Sequence, residues 1–210
     1  MKMENSNMFQ FKNYVDSKYR SLSSNKVDVD TFEFWKVCNY SDELNRWALI
    51  DTQNLYKEVA KQGWKIDWKK FKKILTERFC VSRCILFMGY VERNLGLYKY
   101  LYDSGFQIWF RKVKELPDGT ICGGNVDSDI VVFALEHRDI YSKLIVISDD
   151  KDYREFYSCL MRMGKLGGII SSHPVGRSSG LIREIIPVNM MVGIDELKEE
   201  IEWVVHSRVA

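Results

Sequence analysis

From Arg46 onward, short apolar runs alternate with segments whose apolar residues recur every three or four positions. The runs WALID (47–51), RCILFMGYV (83–91), SKLIVIS (142–148) and LGGIISS (166–172) have strand length and are apolar almost throughout. That is the pattern of strands buried on both faces. QIWFRKVKEL (107–116) reads as a further strand, ended by the turn chemistry of PDGT. Between them, DWKKFKKILTERF (67–79) sets Trp68, Phe71, Ile74, Leu75 and Phe79 at helical spacing behind Asp67, placed as an N-cap. NLGLYKYLYDSGF (94–106) predicts a helix closed at Gly105, and DYREFYSCLMRMG (152–164) one closed at Gly164. VDSDIVVFALEHR (126–138) is apolar on most sides and predicts a deeply buried helix. The tail DELKEEIEWVV (195–205) predicts an amphipathic helix with Leu197, Ile201, Val204 and Val205 on one face. Apolar strands alternating with helices define an α/β domain with a mainly parallel sheet covered on both sides.

Residues 1–45 differ from the rest. They are aromatic (Phe9, Phe11, Tyr14, Phe32, Phe34, Trp35), mixed in charge and broken by SLSSNK. Two helical pieces around a loop are expected, packing on the domain or on a partner, a second copy of the chain included; such hydrophobicity is unlike a disordered tail. The organisation that follows is an N-terminal extension (1–45), the α/β domain (46–190) and a C-terminal helix packing on it (191–210). With 46% apolar and 29% charged residues in 210, the chain has the makings of one soluble domain. A net charge of +2 makes it no polycation, so nucleic-acid binding has to rest on local features. Its five cysteines are odd in number and scattered; Cys80 and Cys84 have no second pair or nearby histidine to complete a zinc site. No run reaches transmembrane length and the N-terminus has no signal-peptide core, so the expected compartment is the cytoplasm.

The acids carry the chemistry. Ligands of open parallel sheets bind at the carboxyl ends of the strands. Asp51 ends the first core strand, Asp149, Asp150 and Asp152 follow the strand LIVIS, and Asp127 and Asp129 open the central helix behind the loop CGGN. Taken singly, each is explained as a helix cap. Together at one edge, they would repel one another unless a cation lay between them. Oxygen ligands without His or Cys suit Mg²⁺ or Mn²⁺.

The order and type of these residues resemble the NYN domain, in its LabA-like form, of the PIN-like nuclease superfamily. Asp51-Thr52-Gln53-Asn54 matches the family's D-x-x-N, Val126-Asp127-Ser128-Asp129 its V-D-x-D segment, and Ser148-Asp149-Asp150-Lys151-Asp152-Tyr153 its S-G-D-x-D-F/Y. Ser178-Ser179-Gly180-Leu181 resembles a late S-x-x-L element. The resemblance implies a three-layer α/β/α sandwich and metal-dependent endonucleolytic cleavage of RNA. It also implies metal ligands Asp51, Asp127, Asp150 and Asp152, with Asn54 orienting Asp51 or a water. Asp149 stands where the family has glycine, and Phe133 where many relatives carry a further aspartate.

Cations beside the acids would hold phosphates. Arg111 and Lys112 near a strand end, and Arg177 with Ser178 in the loop SSHPVGRSSG, are the candidate substrate contacts. His173, in the same loop, reads as a solvent-exposed histidine, and KKFKK as a solvated helix face. A second reading is an RNA-binding or scaffold module without catalysis. Phosphotransfer and Toprim-like folds rank lower, because DTQN lacks the second acid of D-x-D and no glutamate ends the first strand.

Overall fold

The computed structural model describes residues 45–204, together with Asn13. The expected N-terminal extension lies outside them but for Asn13 and Asn45. The elements are β1 (Arg46–Asp51), α1 (Thr52–Lys61), α2 (Trp68–Glu77), β2 (Val81–Tyr90), α3 (Leu95–Asp103), β3 (Gln107–Lys112), β4 (Lys114–Glu115), β5 (Ile121–Cys122), α4 (Asp127–Glu136), β6 (Lys143–Ile147), α5 (Arg154–Arg162), β7 (Leu166–Ser171), α6 (Gly180–Arg183), β8 (Met191–Gly193) and α7 (Lys198–Ile201).

Six strands form one sheet in the order β3-β2-β1-β6-β7-β8, and every pairing in it is parallel. Each strand sends alternate side chains to opposite faces. Ala48 and Ile50 of β1 join a core with Leu55, Val59, Phe71, Leu75 and Leu101 from α1, α2 and α3. Trp47 and Leu49 join a second core with Ile130, Phe133, Tyr157 and Ile182 from α4, α5 and α6. Two cores on two faces make the three layers expected of a PIN-like sandwich. The sheet winds outward from β1 toward β3 and from β6 toward β8, so its switch point lies between β1 and β6. Ligands of such sheets lie in that crevice, outside the carboxyl ends of the strands.

The start of α2 and the stops of α3 and α5 fall where the sequence puts them. Asp67 accepts from Lys70 N, and Gly105 and Gly164 take φ of +89° and +65° after α3 and α5. Three expectations need correction. The strand read over 107–116 ends at Lys112; Lys114–Glu115 turns off to pair with Ile121–Cys122 in a separate antiparallel hairpin. Val113 between them folds over Gly89, where a Cβ would meet it at 2.5 Å. The central helix is buried on one side only: Ile130, Phe133 and Ala134 face the core, while Val132 is half exposed. The tail carries β8 and ends its helix at Ile201. Beyond it Glu202 bridges to Ile66 and Trp203 N donates to Lys65 O, which pulls the chain straight and leaves Val204 exposed. Leu197 and Ile201 are buried as read, and Val205 lies outside the described residues.

Candidate metal and substrate site

Two of the three expected acids, Asp51 and Asp150, are caps, and the third, Asp127, opens a helix without capping it. Asp51 ends β1 and caps α1, its Oδ1 accepting from Asn54 N at 3.0 Å. Asp127 is the first residue of α4; its N–H donates to Asn125 Oδ1, and its Oδ1 accepts from the Tyr153 hydroxyl at 2.8 Å. Asp150 follows β6, donating its N–H to Ser148 Oγ and accepting from Asp152 N on Oδ1 at 3.0 Å. A cap engages one carboxylate oxygen and leaves the other free to face a ligand. Helix starts also favour negative charge. Capping thus holds Asp51 and Asp150 in place, and the Tyr153 hydroxyl holds Asp127.

These three acids line one pocket of about 290 Å³ at the β1/β6 crevice, with Gln53, Asn54, Lys57, Glu58, Asn125 and Val126. Asp51 is 5% exposed. Burial, and after it the charges of Asp127 and Asp150, push its carboxyl up to about 6, against the opposing hydrogen bond from Asn54. The β1–α1 turn is Asp-Thr-Gln-Asn, without the glycines that let a backbone cradle a pyrophosphate. A larger groove of about 470 Å³, lined by Lys69, Lys70, Lys72 and Lys73, holds only Glu77 as an acid and lies apart from the crevice residues.

The donor set fits a hard divalent cation, being all oxygen and short of positive charge. Among the described residues no three His, Cys, Asp or Glu side chains stand close enough to grip an ion unaided. An ion in this pocket would therefore keep much of its water, as Mg²⁺ commonly does.

The remaining expected residues spread out. The Asp152 side chain is exposed and lines no part of the pocket; its amide serves Asp150. Asp129 pairs with Arg111 at 2.6 Å. Arg111 Nε also donates to Gly123 O at 3.0 Å, so this arginine secures the glycine loop that delivers Asn125 and Asp127. Lys112 and Arg177 are exposed and do not line the pocket. Ser178 is buried and donates to Val175 O, which makes it a turn residue here. Asn54 holds Asp51 through its backbone; its side chain meets Ser172 Oγ at 2.7 Å. His173 is not a free loop histidine: it lies between Asp149 and Glu58.

Sequence reading missed Lys57 and Glu58, the cation and the fourth carboxylate of the pocket. The signal was available, since 54, 57 and 58 fall on one face of the helix that Asp51 caps.

A parallel three-layer sandwich with acids at its switch point is the frame of a PIN-like nuclease domain. The NYN domain family matches residues 46–185, and the chain belongs to that family. A protein of unknown function from Vibrio parahaemolyticus has the same fold, with a TM-score of 0.60 over 78% of this chain and 99% of that one, at 20% identity. No curated protein matches the chain. No described helix is long and apolar enough to cross a membrane.

Proposed function

We propose that the protein is a ribonuclease that cuts RNA internally, using Mg²⁺ or Mn²⁺ held by Asp51, Asp127 and Asp150, with Asp152 completing the site through water. The observation that carries this reading is the meeting of three carboxylates, from three separate elements, in one crevice where Asp51 is already strained toward protonation. A bound divalent ion would supply charge neutralisation and an acidified water for attack on the phosphodiester, leaving a 5′-phosphate and a 3′-hydroxyl. The chain's own work is to fix the acids by their caps and the Tyr153 hydroxyl. Lys57 holds a phosphate at the pocket wall. Arg177 and Lys112 meet the RNA backbone farther out, with Arg111 and Ser178 shaping the loops that carry them. The LabA-like form is the branch its D-x-x-N and S-x-D-x-D motifs resemble, and the cytoplasm is the compartment its thiols suit. Residues 1–45 would dock a second copy or a protein partner.

The open spacing of the acids favours one other reading, an RNA-binding module of this fold that does not cleave. Wild type and Asp150→Asn are compared on labelled total RNA and tRNA with Mg²⁺, Mn²⁺ or EDTA. Metal-dependent cleavage that the substitution abolishes is the expected result. RNA binding without cleavage, and no Mn²⁺ uptake by calorimetry, would leave the binding module.

A further inference from the structure

The adjacent acids Asp149 and Asp150 do different work. Asp150 lines the pocket, while the Asp149 side chain, 6% exposed, turns toward the end of β7. There its Oδ1 accepts from Ser172 Oγ at 2.7 Å, and its Oδ2 accepts from Ser171 Oγ at 3.3 Å and meets His173 Nδ1. The other face of the ring continues the chain: His173 Nε2 lies 3.0 Å from Glu58 Oε2. Glu58 lines the pocket and holds Lys61 at 2.6 Å through its other oxygen. Donating to both carboxylates takes a ring protonated on both nitrogens. Ser172 has one hydroxyl proton for two neighbours, Asp149 and Asn54. With the Asn54 amide turned so that its Nδ2 faces Ser172, Ser172 Oγ accepts from Asn54 and gives its one proton to Asp149.

We propose that Asp149 and His173 are positioning residues, a brace that ties the ends of β6 and β7 to α1 and so aims Asp150 into the pocket. The assignment of a purpose to that pocket rests on the function proposed above; the brace does not. A carboxylate as buried as Asp149 is costly without matched donors, and the His173 ring is the one nitrogen partner the described side-chain contacts give it beside the two serine hydroxyls. Remove the imidazole and Asp149 keeps two hydroxyls but faces Glu58 across an unfilled gap. The turn then relaxes, and Asp150, one residue on, goes with it. A glycine at position 149 would remove the carboxylate that joins the two serines and the histidine, leaving Ser172 only Asn54 and the His173 ring only Glu58. The brace is therefore a feature of this chain's own Asp149.

The Asp152 amide reports Asp150 directly, because it donates to Asp150 Oδ1. In metal-free protein, His173→Ala is expected to shift that amide proton and speed its exchange at least tenfold. His173→Gln, whose amide can still donate to Asp149, restores most of the wild-type behaviour. In an Asp149→Gly background the same His173→Ala change adds nothing. Mn²⁺ affinity is expected to fall about tenfold in His173→Ala, the usual cost of losing a group that orients a ligand. An unchanged Asp152 amide in folded His173→Ala, or additive effects in the double variant, overturns the brace. If His173→Ala does not fold, Asp149→Asn and His173→Gln are read by the same amide. Should wild type neither take up Mn²⁺ nor cleave RNA, the functional reading fails while the Asp152 amide still decides the brace.

Discussion

The buried Tyr153 hydroxyl donates to Asp127 Oδ1 at 2.8 Å, so a residue just after β6 sets the direction of an acid at the head of α4. Burial, with the Asp51 and Asp127 charges beside it, holds the phenol far above its ordinary range, so it acts only as a donor. Tyr153→Phe removes one oxygen and little packing. We expect a loss of about 1 kcal/mol in stability and a roughly tenfold weaker Mn²⁺ affinity. Calorimetric Mn²⁺ titration beside thermal unfolding separates the two effects. Equal Mn²⁺ affinity in the two proteins would show that the bond does not orient Asp127.

Asp51 gives the metal-free protein a signed pH dependence. Its carboxyl titrates near 6 in the folded state, raised from 3.8 by burial first and by Asp127 and Asp150 after it. The folded state therefore holds a proton that the unfolded state releases between those values, and stability falls as pH rises through about 6. The shift corresponds to roughly 3 kcal/mol, present below pH 4 and lost above pH 6. Denaturant unfolding of wild type and Asp51→Asn from pH 4 to 8 is the check. The difference between the two should follow this curve, and Mn²⁺ should reverse the loss in wild type by favouring the ionised acid.

Most of the fold was legible because it depends on local periodicity. The apolar runs of β1, β2, β6 and β7, the Asp67 cap and the stops at Gly105 and Gly164 each follow from a few neighbouring residues. What sequence reading missed depends on distant partners. Nothing in EEIEWVV announces that Glu202 pairs with Ile66, and nothing in QIWFRKVKEL that Val113 folds over Gly89. The site divides the same way. Asp51, Asp127 and Asp150 stand at element boundaries that a pattern reveals. That Asp149 turns away, that Asp129 is spent on Arg111, and that His173 is clasped between acids are facts of side-chain direction.

Phe133 occupies the position where the family resemblance would set a further acid, and here it is packed among aromatic rings. Its ring lies against Trp47, Phe87, Trp109 and His137, with centroids 6.3, 5.4, 5.1 and 4.1 Å away. Phe133→Ala is expected to cost about 3–5 kcal/mol through the cavity it leaves. Phe133→Asp should cost more, since it adds the burial of a carboxylate in an aromatic core to the same cavity, and should add no metal affinity. A soluble Phe133→Asp protein that unfolds as wild type does and binds Mn²⁺ more tightly would contradict this packing.

Lys57 is the one cation lining the acid pocket among the described residues. It sits one helical turn past Asn54, on the same face of α1. The acids would repel an approaching phosphate; an ammonium group in their wall offsets that repulsion at the point of entry. Arg111, by contrast, already spends its guanidinium on Asp129 and Gly123. Lys57→Met, which keeps the stem and removes the charge, is expected to raise KM several-fold. It should also reduce the slope of log K against log salt by about one unit, the share of a single phosphate contact. Arg111→Met should act differently, lowering stability through the released glycine loop while leaving that slope nearly unchanged. Binding of an uncleavable RNA oligomer to both variants across a salt series decides the matter. A full-size loss of slope in Arg111→Met, with none in Lys57→Met, would move the phosphate contact from the pocket wall to the end of β3.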